Sequence, residues 1–334
     1  MDLSPLKLWT LDDQELLKLL NSNVFKQISG EIRFYAPSFT YYQTKHFCSN
    51  NRDFPTISVT GNKCALGCRH CNGKVLQTMH PAASPEELFN LGVKLKSKGA
   101  KGCLVSGGCL SDGSVPLDGF IPVLEKFKRE LDLTVFVHTG IVGVDTAFSL
   151  KSACVDAVLI DIIGSEATIK KIYNLNLSMQ DYADSLAALD KAGLAVVPHV
   201  IVGLNDGKLD GEMGALQMIK QFNPAALVII AFMPITGTDM AQTIPPKPLD
   251  IAKVTACARV LFQHLPLTLG CMRPKGKSRD ETDVLALKAG VDGVAFPSKG
   301  AIEFALSKGL RLSFSSYCCA QLFLDSKGED YGKK

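Results

Sequence analysis

The stretch Thr56-Ile57-Ser58-Val59-Thr60-Gly61-Asn62-Lys63-Cys64-Ala65-Leu66-Gly67-Cys68-Arg69-His70-Cys71 opens as a β-branched run and closes in three cysteines spaced Cys-x3-Cys-x2-Cys. The run predicts a short strand, and Gly61-Asn62 the turn that ends it. Cysteine occupies 11 of 334 positions. At that density, chance places such a triple somewhere in a chain of this length roughly once in a hundred cases. Thiolates are the usual ligands of iron–sulfur clusters, and three on one loop wrap a cubane while leaving its fourth iron open. The competing reading is a structural zinc completed by His70, His80 or a distant cysteine. Such zinc sites normally pair two Cys-x2-4-Cys knuckles, and no second knuckle is present.

Outward from this stretch, short apolar runs alternate with helix-length segments. The runs predict strands over Thr56–Thr60, Gly102–Ser106, Thr134–His138, Asp156–Asp161, Ala195–Ile201, Ala226–Phe232, Leu265–Leu269 and Gly293–Phe296. Between them Ser84-Pro85-Glu86-Glu87 has the order of a capped helix start, and Gly99 and Gly193 stand where helices stop. Strand–helix alternation builds a parallel sheet with right-handed crossovers, and eight units close a TIM-like (β/α)8 barrel. An open six-stranded partial barrel is the alternative. The first fifty or so residues read as a helical extension, with Leu16, Leu17, Leu19 and Leu20 on an amphipathic run, ending in a polar, aromatic flap from Tyr35 to Asn51. The expected division is therefore 1–53 for extension and flap, 54–309 for the barrel and 310–334 for a C-terminal segment.

Composition narrows the class. Hydrophobic residues make up 46% and charged residues 21%, a globular balance. The 36 basic and 33 acidic residues leave a net charge of +3 without a basic stripe, so nucleic acid is not an expected partner. Lys275, Lys277 and Arg279 form the one basic cluster, read as a solvated loop. No apolar run reaches the roughly 18 residues of a membrane span, and Met1-Asp2-Leu3-Ser4-Pro5 does not begin an export signal. The expectation is a cytoplasmic protein, in which reduced thiols serve metals or catalysis rather than disulfides.

The cysteine triple at the end of a first barrel strand resembles the radical S-adenosylmethionine (SAM) superfamily, over Phe54 to about Phe296. That resemblance implies a 4Fe–4S cluster on Cys64, Cys68 and Cys71 whose open iron chelates SAM, with His70 packed on the cofactor. It implies that Ser106-Gly107-Gly108 meets the SAM amino group, where glycine lets backbone approach a ligand closely. His199-Val200-Ile201-Val202-Gly203 is similar to the Gly-x-Ile-x-Gly adenine contact of the family, with His199 in place of the first glycine and Ile201 retained. Pro234, in the turn after strand six, falls beside the adenine by the same comparison, and Asp161 is placed either at the ribose hydroxyls or as an ordinary helix cap.

Eight thiols remain. Cys103, Cys154 and Cys257 fall in strand or helix patterns and read as buried packing. Cys109 and Cys271 stand on the catalytic rim by the strand count, and the vicinal pair Cys318-Cys319 follows an apolar run, Leu310 to Phe314, able to fold back onto it; the four would complete a second, auxiliary cluster, with Cys48 of the flap in reserve and unrelated buried thiols as the alternative. A second cluster resembles the sulfur-inserting branch, biotin synthase and lipoyl synthase, and places Arg273 against that cluster. Phe34 to Phe39, Asp161 to Gly164 and Cys318-Cys319 are similar to one component of the two-protein lipoyl synthase of archaea and some bacteria. The resemblance implies sulfur insertion into an octanoyl chain on a carrier protein, a second radical SAM subunit, and a reduced electron carrier of ferredoxin or flavodoxin type. Another radical reaction, such as rearrangement or peptide modification, stands as the alternative.

Overall fold

The structure, a computed structural model, describes residues 3–50 and 52–327. Met1, Asp2, Asn51 at the end of the expected flap, and residues 328–334 of the C-terminal segment lie outside the described residues. One sheet holds eleven strands: β1 (Glu31–Tyr35), β2 (Thr56–Ser58), β3 (His80–Pro81), β4 (Gly102–Ser106), β5 (Thr134–His138), β6 (Ala157–Asp161), β7 (Val196–Val202), β8 (Leu227–Ala231), β9 (Leu267–Leu269), β10 (Gly293–Ala295) and β11 (Arg311–Ser315). Their order is β11-β1-β10-β9-β8-β7-β6-β5-β4-β2-β3, and every pairing is parallel.

All eight strands read from the sequence form, as β2 and β4 through β10, in unbroken spatial succession. They do not close on themselves. The short β3 follows β2 at one end, and β1 with β11 extends the other, so the sheet curls into an open, TIM-like half-barrel rather than a closed ring.

The first fifty residues are helical only in part. Helices Pro5–Thr10 and Asp13–Asn21 form, the second closed by a capping box between Asp12 and Glu15. Leu8, Leu16, Leu19 and Leu20 are buried in the core that the barrel helices share. Glu31–Tyr35 is a strand, not part of the helical extension. Ile32 and Phe34 face the outer, helix-covered core and Tyr35 the lumen, which is the alternation of a sheet buried on both sides. Its partners lie some 260–280 residues away, at Gly293–Ala295 and Arg311–Ser315.

Outside the sheet, helices follow strands as expected. Pro85–Ser97 starts on Ser84, whose hydroxyl accepts from the Glu87 N–H at 3.2 Å. Gly92 lies so close to Phe127 that a methyl group there would stand 2.3 Å from its ring.

Inside the curl, Phe54, Phe136, Ala157, Leu159, Val197 and Val228 form a second apolar layer. Cys319, Ala320, Leu322 and Phe323 of the C-terminal segment fill it. The apolar run at 310–314 becomes edge strand β11, and the chain after it turns into the lumen, where Asp325 accepts from the Tyr35 hydroxyl at 2.7 Å. No helix among the described residues is long and apolar enough to cross a membrane.

Candidate active site

The cysteine loop leaves β2 through Gly61, whose φ of +58° suits glycine. Two neighbours hold it: the Ala65 N–H donates to the Cys109 carbonyl at 2.8 Å and the Arg69 N–H to the Ile172 carbonyl at 2.9 Å. The Cys71 and Asn72 N–H groups turn back to the Cys68 carbonyl at 3.2 and 2.8 Å, so the loop closes as a helical turn. The ligand atoms of Cys68, His70 and Cys71 lie within 4.8 Å of one another. Gly108 packs directly on the loop: a side-chain carbon there would stand 2.0 Å from the Lys63 carbonyl oxygen and 2.6 Å from Cys64 Cβ. Its N–H donates to Thr60 Oγ1 at 2.7 Å. The Ser106-Gly107-Gly108 turn and the cysteine loop are thus one unit.

Cys68 and Cys71 share a hydrogen bond that pushes the first thiol up and draws the second down, and His70 helps to hold Cys71 low. Beside them, His70 Nδ1 and the Tyr173 hydroxyl are buried without a partner, with the two rings 5.1 Å apart. Buried polar atoms normally find partners. Two orphans beside three thiols suit a bound polar group, and the donor set suits an iron–sulfur cluster with a small charged cofactor.

At the floor of this unit, strands β5, β6 and β7 present His138, Asp161 and His199. His138 Nε2 stands 3.5 Å from Asp161 Oδ1, and the two imidazoles are 5.7 Å apart. Burial would raise the Asp161 carboxyl, but His138, His199 and His70 outweigh it and hold it below its usual range. Burial drives His199 down to about 4, so its imidazole is neutral near pH 7. The Ser106 hydroxyl donates to the His138 carbonyl at 3.1 Å. Ile201 on β7 and Pro234 after β8 are half-buried along the same rim. Sequence reading missed His138, Tyr173 and the buried Tyr182, whose hydroxyl is pushed up by burial and then by the nearby Asp161, Cys109 and Cys68. A polar residue closing a barrel strand was the available signal for His138, whereas the tyrosines sit on helices with no local mark.

The structure divides the four thiols expected to hold a second cluster. Cys109 belongs with the first group: burial pushes it up to about 12, and Cys64, Asp161 and Cys71 add to the rise. Cys271 and the Cys318-Cys319 pair gather separately, across the lumen, among Tyr35, Ala295 and Ile230. Burial and the neighbouring Cys319 raise Cys271 to about 12, and the hydrogen bond with Cys318, then burial, raises Cys319. Loop packing decides the split, because the Ala65–Cys109 bond draws Cys109 onto the cysteine loop.

Arg273 is 0% exposed beside this second group. Its Nε donates to Asp283 Oδ1 at 2.8 Å, and its other nitrogens donate to the Gly270 carbonyl and, at 2.7 Å, the Ala295 carbonyl. Arg279, read as part of a solvated loop, is instead half-buried and donates to Asp283 Oδ2 at 3.3 Å and the Phe296 carbonyl at 2.9 Å. Cys48 stays exposed in the flap near the Tyr41 hydroxyl. Cys103 and Cys257 are buried in the core as expected, but Cys154 is exposed, at a φ of +56° beyond the helix Val144–Ser152.

Residues 58–210 match the profile of the radical SAM superfamily. The chain carries a radical SAM domain, which implies a 4Fe–4S cluster and SAM. Among curated proteins it is similar to biotin synthase of Zymomonas mobilis, 27% identical over 247 residues covering 72% of each chain. Biotin synthase of Synechococcus elongatus is 26% identical over 253 residues, covering 72% of this chain and 76% of its own. Among solved structures, the FeFe-hydrogenase maturase HydG superposes with a TM-score of 0.66 over 99% of this chain and 76% of its own, at 14% identity, which speaks for the fold alone.

Proposed function

We propose that this radical SAM enzyme inserts sulfur into an unactivated C–H bond, with an octanoyl chain on a carrier protein as the substrate. The observation that carries the reading is the second thiol group, Cys271, Cys318 and Cys319, which faces the lumen apart from the first. The sulfur-inserting biotin synthases among its relatives support it. The lipoyl-type substrate rests on the segments Phe34–Phe39, Asp161–Gly164 and Cys318-Cys319.

In this reading Cys64, Cys68 and Cys71 hold the SAM-binding cluster. With one electron from a reduced carrier of ferredoxin or flavodoxin type, bound cluster and SAM supply a 5′-deoxyadenosyl radical. The chain's own residues do the rest. Gly107 and Gly108 bring backbone against the amino acid end of SAM, while His70 and Tyr173 offer the buried polar atoms that lack partners. The Asp161 carboxylate accepts from the ribose hydroxyls, with His138 beside it, and Ile201 and Pro234 line the adenine side. Phe54, Phe136 and Leu159 keep water from the lumen. Cys271, Cys318 and Cys319 hold the sulfur-donating group, beside Arg273. A second radical SAM subunit shares the two insertions.

The test is anaerobic iron and sulfide analysis of the wild type beside a Cys64/Cys68/Cys71→Ala variant. About four irons per chain should remain in the variant on the remaining thiols. A variant free of iron would remove the basis for sulfur donation.

A further inference from the structure

Asp283 is fully buried and serves two guanidinium groups at once. Its Oδ1 accepts from Arg273 Nε at 2.8 Å, and its Oδ2 accepts from Arg279 Nε at 3.3 Å and from the Ser298 N–H at 2.8 Å. The two guanidiniums meet a second time, because both donate to the Ala295 carbonyl, at 2.7 Å from Arg273 and 3.3 Å from Arg279. Ala295 belongs to the inner apolar layer against which Cys271 and Cys318 pack. Arg273 also donates to the Gly270 carbonyl, one residue before Cys271.

This group is one negative charge short. Two cations share one carboxylate, and with the Arg273 side chain 0% and the Arg279 side chain 16% exposed, water does little to cover the difference. Asp325, which enters the same lumen, is engaged elsewhere: it accepts from the Tyr35 hydroxyl at 2.7 Å and lies 4.0 Å from Arg33. An unbalanced buried charge is costly unless an anion sits beside it. The second thiol group can supply that anion. Arg273 draws Cys271 and Cys319 down against the burial and the neighbouring thiols that raise them. Burial, then Arg273, lowers Arg279 to about 10, while Asp283 and Cys271 favour its charged form, so it stays cationic near neutral pH.

We propose that Arg279, held with Arg273 on Asp283, supplies the counter-charge of the second thiol group and sets the reduction potential of the cluster bound there. This role rests on the sulfur-insertion reading, which puts a cluster on Cys271, Cys318 and Cys319. An iron–sulfur core on thiolates is anionic and gains a further negative charge on reduction, and the net charge around a cluster is one of the determinants of its potential. A fixed cation therefore favours the reduced form. Arg279 acts through its charge alone, with Arg273 and the Ala295 carbonyl between it and the thiols, and is neither a ligand nor a substrate contact.

The full-length Cys64/Cys68/Cys71→Ala chain isolates the second cluster, and an anaerobic redox titration followed by EPR reads its midpoint. Adding Arg279→Gln should move the one-electron reduction equilibrium about tenfold toward the oxidised form, the effect of a unit charge on the order of 10 Å away at an effective dielectric constant of ~20. For one electron that is a midpoint about 59 mV more negative. Adding Arg279→Lys instead should leave the midpoint near that of the parent chain, since lysine keeps the charge while losing the planar fork. Iron lost from the Arg279→Gln chain but kept in the Arg279→Lys chain would express the same charge requirement more strongly. Equal midpoints in the parent and Arg279→Gln chains, equal shifts in the two Arg279 variants, or iron lost from both would overturn the role and leave sulfur insertion standing. A parent chain without iron would overturn both, so iron content tells the two failures apart.

Discussion

Glu212 buries a carboxylate at 4% exposure, accepting from the Gly203 N–H at 2.8 Å through Oε1 while Oε2 has no partner. Burial raises its pKa from 4.5 to about 6. The folded state thus holds this proton more tightly than the unfolded chain. Its contribution is complete below the unfolded value and is lost as pH rises through the folded one. At 1.36 kcal/mol per unit this amounts to about 2 kcal/mol between pH ~4.5 and ~6. Urea midpoints across that window should show Glu212→Gln free of this loss, whereas parallel profiles for variant and wild type would contradict it. Nothing in the sequence marked Glu212, since its burial follows from where the loop after β7 meets the helix Glu212–Ile219. The cysteine triple, by contrast, was legible because three ligands on one loop are a local pattern. Cys109 was legible as a rim residue but not as a neighbour of Cys64, because a hydrogen bond between loops some forty residues apart leaves no spacing to read.

Among the elements, the segment after β11 has the largest consequence. It carries Cys318 and Cys319 and fills the lumen with Leu322 and Phe323, which are 1% and 3% exposed. A chain ending at Tyr317 would lose both apolar side chains, each worth about 1.5–3 kcal/mol when fully buried, or roughly 3–6 kcal/mol together. We expect a lower denaturation midpoint and loss of the iron assigned to the second group, with the cluster on Cys64, Cys68 and Cys71 still formed. Full iron content in the truncated chain would show that the second thiol group holds none. The strands themselves were mostly visible in advance, because a sheet buried on both faces is written in continuous apolar runs such as Ala157–Asp161. Glu31–Tyr35 was not visible. Five residues after a Ser29-Gly30 turn carry little periodicity, and what makes them a strand is pairing with Gly293–Ala295 and Arg311–Ser315, far away in sequence.

At the scale of the molecule, an open half-barrel keeps two thiol groups apart, and the division of labour proposed for them is separable. The first group depends on the loop after β2 and on Gly108. The second depends on the turn after β9 and on the C-terminal segment. Loss of one should therefore leave the other able to form. A Cys64→Ala chain, given strong reductant and SAM under anaerobic conditions, should make 5′-deoxyadenosine only at background, since two thiolates do not hold the cubane that binds SAM. A Cys271/Cys318/Cys319→Ser chain should continue to make it but transfer no sulfur to an octanoylated carrier. The wild type should lose cluster sulfide in step with thiolated product. If the second variant still delivers sulfur, the lumen thiols do not hold the donor and the relation to sulfur-inserting enzymes is one of fold and first cluster only. If both variants fall to background in nucleoside production, the two groups are structurally coupled through the filled lumen, and the separation seen in their loops does not extend to their chemistry.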